Sequence, residues 1–276
     1  MLTNQQLVHW ETFGFVILRG LLTSDEVETA RREFQAGLLE KSYDPEGSMP
    51  TSFSGHGPTT PLLASLPEDP RFQEAAEQMW GKDVVLVGSS GQRFTKSHIY
   101  WHPDMPDATP ETKDDHVQGV KFAFYLEPLD RDTGALRVIP GSHKSPFHDQ
   151  LFAMGLKGWD SPYLQSTGLN VGDIPSYIWH SDPSDVIAFN LRVWHASWGA
   201  SADRHQWSVV YYKNPSTPRE EELTRELARW QNANALAGSH GPRYDPHWLS
   251  NPEGSPTRQR WIEWLQKYGF VDSDAA

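Results

Sequence analysis

The sequence predicts a mainly β domain, a double-sheet jelly roll with helices packed outside it at both ends. Three observations carry that prediction. Many short strand-like runs are separated by Gly and Pro turns through the middle of the chain. In Val120-Lys121-Phe122-Ala123-Phe124-Tyr125-Leu126 the large apolar residues alternate, as a strand with one face on a core requires. Before about residue 80 and after about residue 219 the apolar spacing changes to threes and fours, the period of a helix.

The elements follow in order. Thr3 with Gln6 and Thr23 with Glu26 have capping-box spacing, so each opens a helix. Val27, Ala30, Phe34 and Leu38 then put one stripe of a helix over 24–40 into a core. A further helix runs from Arg71 to Trp80, begun by Pro70 and stopped by Gly81. Strands are predicted at Val84–Val87, Arg93–Ser97, Val120–Leu126, Ala135–Ile139, Asp185–Asn190, Val193–Trp198 and Trp207–Lys213. Leu223, Leu227 and Trp230 form one late helical stripe, and Trp261, Trp264, Leu265 and Tyr268 another. No linker, repeat or low-complexity tract divides the 276 residues, so one domain spans 1–276, with helices over about 1–80 and 219–270 packed on the sheets.

Composition narrows the function. With no cysteine there are no disulfides or thiolate metal sites, which leaves His and carboxylate as strong ligands. A formal net charge of −12 argues against nucleic acid or an anionic membrane as partner. The chain shows no apolar run of about 18 residues and no charged-then-apolar leader, from which a soluble, cytoplasmic location is expected. A small molecule is the expected partner; the oligomeric state is not legible.

His-x-acid triplets are cheap: roughly 1.6 are expected by chance at this composition, and three occur. His9-Trp10-Glu11 sits in the first helix as a surface pair. His180-Ser181-Asp182 lies in a Pro-flanked turn with the next His only 15 residues on. His102-Pro103-Asp104 differs, because it follows a strand-like run, precedes a Pro/Asp-rich loop, and is answered by His195 in another strand. Two imidazoles and one carboxylate on one side of a metal leave the other positions open, as a non-heme Fe(II) oxygenase needs. On residue types alone, a Zn-dependent hydrolase or a catalytically silent metal-binding jelly roll stays open beside it.

The surrounding sequence is more specific. Phe13-Gly14-Phe15-Val16-Ile17-Leu18-Arg19-Gly20, Trp101-His102-Pro103-Asp104, the segment Gly-Ala-Leu-Arg-Val-Ile-Pro-Gly-Ser-His ending at His143, and Ser184–Asn190 leading to His195 together resemble the phytanoyl-CoA dioxygenase-like family of Fe(II)/2-oxoglutarate-dependent oxygenases. The resemblance covers most of the chain and implies a cupin-like double-stranded β-helix. It also implies Fe(II) on His102, Asp104 and His195, with 2-oxoglutarate and O₂ as cosubstrates. The expected reaction oxidises an unactivated C–H bond, by hydroxylation as the default, and releases succinate and CO₂. Asp104 stands where related halogenases have a small residue, so halogenation is not expected.

Further residues follow from that implication. Arg204 is where the family's cosubstrate arginine should fall, since a guanidinium fork answers a distal carboxylate with two charge-assisted hydrogen bonds. Ser208 shares its strand face four residues on. Arg192 is the rival, placed on the opposite face by strand parity from His195. Lys121, a cation in an apolar strand, is expected either to meet a carboxylate such as the cosubstrate's or to lie on a wet face. Candidate substrate contacts are Trp101 and Trp194 beside the ligands, Arg137 in the family-like segment, and Gln92 and Lys96 on the strand before the metal motif. His143 is read as a turn-stabilising residue rather than a third imidazole ligand.

Overall fold

The computed structural model describes residues 1–40, 51–54, 57–105, 116–235 and 244–272. The Pro/Asp-rich loop expected after Asp104 lies outside the described residues from 106 to 115, as do 236–243 of the C-terminal helical region.

The chain opens with α1 (Asn4–Phe13), begun by the expected Thr3–Gln6 capping box and stopped by Gly14 in the left-handed conformation. The run Phe15–Leu18 is strand β1. Helix α2 (Ser24–Glu40) occupies the predicted span and buries Val27, Ala30, Phe34 and Leu38. Then come β2 (Thr51–Ser54), α3 (Pro61–Ser65) and α4 (Pro70–Trp80), the last capped by the Asp69 side chain with Pro70 in its first turn and Gly81 at its end.

The strands that follow are β3 (Val85–Phe94), β4 (Ile99–His102), β5 (Gly119–Tyr125) and β6 (Leu136–Val138). Helices α5 (Phe147–Ala153) and α6 (Pro162–Thr167) precede β7 (Tyr177–Ile178), β8 (Val186–Asn190), β9 (His195–Ser197) and β10 (Arg204–Tyr212). Helices α7 (Pro218–Ala235), α8 (Pro246–Leu249) and α9 (Pro256–Tyr268) close the described chain. Among the described residues no helix is long and apolar enough to cross a membrane.

Among the described residues two antiparallel sheets result, one of six strands in the order β1-β8-β5-β10-β3-β2 and one of four in the order β4-β9-β6-β7. Side-chain alternation sorts the interior into three layers. Val120, Phe122 and Phe124 of β5 and Trp207, Val209 and Tyr211 of β10 face the helices, where they meet Phe34, Phe72 and Trp261. Ala123 and Tyr125 point the other way, into the space between the sheets with Leu136, Ile187 and Phe189. Behind the small sheet Trp101, Trp194, Leu151 and Val171 form a third cluster. Burying large side chains of this kind is worth about 1.5–3 kcal/mol each, so the helices hold the big sheet and set its inner face free for the site.

The structure moves some predicted bounds. Val84–Val87 and the start of Arg93–Ser97 are parts of the single strand β3, and residues 95–98 turn. Strand β10 begins at Arg204 rather than after it. Val193–Trp198 contracts to His195–Ser197, because 191–193 make the tight turn from β8. Leu227 buries as expected on α7, but Trp230 is 51% exposed and leaves that stripe one turn short.

Candidate metal and cosubstrate site

His102 ends β4 and His195 begins β9, and the two are register partners in the antiparallel ladder, which sets their ring centroids 4.3 Å apart. Asp104 reaches them because the chain after β4 is tied to the turn before β9: the Asp104 and Met105 N–H groups both donate to the Leu191 carbonyl, at 2.9 and 3.2 Å. The three side chains offer ligand atoms within 4.8 Å of one another. Asp104 Oδ1 faces His102 Nε2 at 3.9 Å and His195 Nε2 at 3.7 Å.

The hydrogen bonds orient the donors. His102 Nδ1 lies 2.8 Å from the Tyr100 carbonyl and His195 Nδ1 lies 2.9 Å from the Val193 carbonyl. A carbonyl only accepts, so Nδ1 carries the proton on both rings and each Nε2 lone pair is left facing the carboxylate. Burial lowers the pKa of both imidazoles, and His195, with His102 beside it, falls to about 3. Burial would raise Asp104, but Lys121 foremost, then His195 and His102, hold it at about 2. Two neutral imidazoles around an ionised carboxylate are what a divalent cation requires. Asp104 Oδ2 faces Lys121 Nζ at 3.3 Å, and Oδ1 is the oxygen turned to the imidazoles.

These groups line one end of a cavity of about 160 Å³ between the sheets, and Arg204 lines the other. Arg204 is 1% exposed. Its Nη1 and Nη2 donate at 2.6 Å to the carbonyls of Gly134 and Ser97, its guanidinium stands 5.2 Å over the Phe94 ring, and its buried Nε has no hydrogen-bond partner. The neighbouring Asp203 pairs with Arg93 instead. A buried guanidinium pinned by carbonyls on the wall of a cavity fits the distal carboxylate of a small dicarboxylate.

Of the remaining sequence candidates, Lys121 and Gln92 line this cavity. Ser208 is buried on the same face of β10 as Arg204, but Gln206 stands between and lines the cavity where Ser208 does not. Trp101 and Trp194 are each next in sequence to a histidine of the cluster and point to the opposite side of the sheet; they pack in the third core cluster, with Trp101 Nε1 donating to the Val171 carbonyl. Arg137 is buried and donates to the Gly172 carbonyl at 3.3 Å, outside the cavity lining. Lys96 is exposed in the turn after β3. Arg192 sits in the 191–193 turn rather than on a strand, so parity does not place it, yet it too is absent from the lining. His143 is half-buried outside the lining.

Sequence reasoning missed Tyr125 and Gln206, whose side chains hydrogen-bond at 3.0 Å on the cavity wall. The signal was available in parity: Tyr125 lies four residues from Lys121 on β5, and Gln206 two from Arg204 on β10.

The profile of the phytanoyl-CoA dioxygenase (PhyH) family matches residues 10–205. Ectoine dioxygenase of Bordetella bronchiseptica (strain ATCC BAA-588 / NCTC 13252 / RB50) is 26% identical over 155 residues, covering 52% of this chain and 50% of that protein. The chain thus spans about half the length of the curated relatives it matches. Among solved structures, HygX from Streptomyces hygroscopicus with nickel and 2-oxoglutarate bound superposes with a TM-score of 0.62 at 22% identity, over 79% of this chain and 89% of HygX. HygX is also known with hygromycin B bound. SnoN from nogalamycin biosynthesis, a non-heme alpha-ketoglutarate-dependent epimerase, superposes with a TM-score of 0.54 at 17% identity, over 75% of this chain and 81% of SnoN. These likenesses agree with the two-sheet architecture.

Proposed function

Since the chain belongs to the phytanoyl-CoA dioxygenase (PhyH) family, whose profile covers well over half of it, we propose that it is an Fe(II)- and 2-oxoglutarate-dependent oxygenase that hydroxylates an unactivated C–H bond of a small-molecule metabolite. One observation carries the reading: a single cavity has a His-Asp-His donor set at one end and a buried arginine at the other. A hydrolytic zinc site has no use for that arginine, and a silent metal binder has no use for the cavity between.

His102, Asp104 and His195 are the residues that hold the metal. When bound, iron with 2-oxoglutarate and O₂ supplies the oxidant, and succinate and CO₂ leave. Lys121 keeps Asp104 ionised and turned so that Oδ1 faces the imidazoles. Arg204 receives the distal carboxylate of 2-oxoglutarate and fixes the length of molecule the cavity accepts. Tyr125 and Gln206 line the wall between. Phe94, Ile99, Leu136 and Phe189 keep the cavity apolar elsewhere. Exclusion of water there strengthens the charge pairs and protects a reactive site from side reactions.

The test has two steps. Anaerobic addition of Fe(II) and 2-oxoglutarate should produce a weak visible charge-transfer band, which neither a zinc hydrolase nor a silent binder gives. A metabolite panel is then screened for substrate-dependent succinate, and the product mass is read. An added oxygen supports hydroxylation, and a loss of two hydrogens points to desaturation or ring formation. An unchanged mass with altered stereochemistry would replace hydroxylation by epimerisation, the reaction named for SnoN.

A further inference from the structure

A set of aromatic rings lies just outside the cavity and has no part in the assignments above. Tyr100 lies two residues before His102 in β4, where the register shifts, and their ring centroids are 5.1 Å apart. Trp159 stands 5.1 Å from Tyr100 and 5.1 Å from His98, and His98 stands 4.8 Å from Trp198. One ring, that of Tyr100, therefore separates Trp159 from a metal-ligand imidazole.

Trp159 is not a core residue. It leaves 59% of its surface exposed, although its ring is edge-packed on both Tyr100 and His98. The turn that carries it, between α5 and α6, is fixed to the metal-bearing strand: Gly158, at a φ of +98° that a residue with a side chain rarely adopts, donates its N–H to the Trp101 carbonyl at 3.3 Å. An indole can bury about 150–250 Å², so one held open on a tethered turn beside the triad offers a ligand a large apolar platform.

Resting on the oxygenase reading, we propose that His98, Tyr100 and Trp159 form the outer substrate subsite, and that the primary substrate is a ring-bearing metabolite. Its cyclic part stacks on Trp159 and Tyr100 while the bond to be oxidised extends past Tyr100 to the triad. The ring's source, a saturated sugar-like ring or a planar aromatic one, is separated by the probes.

The experiment is saturation-transfer NMR on protein loaded with 2-oxoglutarate and diamagnetic Zn(II), irradiating upfield protein methyl protons, where no probe resonates. The probes are methyl β-D-glucopyranoside, benzyl alcohol and acyclic sorbitol. At least one ring probe should receive saturation, with sorbitol showing little. Trp159→Ala should cut the ring signal about fivefold or more, Trp159→Phe should keep at least half of it, and Trp230→Ala on α7 should leave it intact. Undiminished transfer in Trp159→Ala, equal transfer to sorbitol, or none to either ring probe overturns the proposal. The Fe(II)/2-oxoglutarate band is read separately in wild type and Trp159→Ala. Its absence from wild type sinks the oxygenase reading alone, and its loss only in the variant means the turn is structural and overturns the subsite.

Discussion

A histidine can take a metal only through an unprotonated nitrogen, and in this chain two backbone carbonyls, those of Tyr100 and Val193, decide which nitrogen that is. His102→Ala, Asp104→Ala and His195→Ala should each abolish Ni(II) binding in calorimetry while circular dichroism stays native. His180→Ala is the control, since His180 is exposed in a turn and its carbonyl, not its ring, is bonded to Arg19. Arg204→Ala should raise the KM for 2-oxoglutarate by about two orders of magnitude, from loss of a buried charge-assisted pair worth roughly 3 kcal/mol. Arg192→Ala should not, and a KM defect there would transfer the anchor to the turn. The cluster of His102, Asp104 and His195 was legible because its spacing, strand context and later partner agreed. Trp101 and Trp194 show the limit: proximity in sequence suggested a pocket wall, but alternation sends each neighbour of a ligand through the sheet to the other side.

At the scale of elements, what the sequence states clearly are ends that carry their own chemistry. The Thr3 cap, Pro70 and Gly81 mark helix bounds through a side-chain bond and backbone conformation, and the structure places those bounds within a residue. Helices α5 and α6, of seven and six residues, carry too short a stripe to stand out. Strand β10 starts ahead of the predicted Trp207 because Arg204, a charged residue beside Asp203, carries no strand signal of its own until Gly134 and Ser97, distant in sequence, are seen to receive it. Gly134 has φ +88°, and a Cβ there would lie 2.9 Å from Arg204 Cδ. Gly134→Ala should therefore push the guanidinium aside and raise the KM for 2-oxoglutarate about tenfold, with Ni(II) affinity unchanged. Equal loss of metal and cosubstrate affinity would show general damage instead.

For the whole molecule, the two-sheet closure was readable as a pattern but the partners were not, since pairing of His102 with His195 depends on contacts across long stretches of chain. The folded molecule also holds several imidazoles in surroundings that resist protonation. Burial, then Lys144, lowers His143 to about 4, and burial lowers His9, His98 and His148 as well. Each binds its proton more readily in the unfolded chain, so their effect is to remove stability as pH falls below the unfolded value of about 6.5. Glu26, held near 2 chiefly by Arg71, acts with the same sign lower down, contributing above its unfolded value and losing that contribution as pH falls towards 2. The melting temperature of metal-free protein should fall by roughly 5 °C or more between pH 7 and 5. In His143→Gln that fall should be shallower, and an unchanged slope would remove His143 from the account.

The register pairing of His102 with His195 has a kinetic side. A metal held by both residues is a clasp across β4 and β9, the edge of the four-stranded sheet, whereas β3 and β10 are paired over nine residues in the six-stranded sheet without it. Opening fluctuations of the small sheet must break the clasp, and those of the large sheet need not. Adding Ni(II) should therefore slow amide hydrogen exchange at Trp101, His102 and Ala196 and leave Val209 and Leu86 at their metal-free rates, making the ion a selective brake on the motion of one sheet.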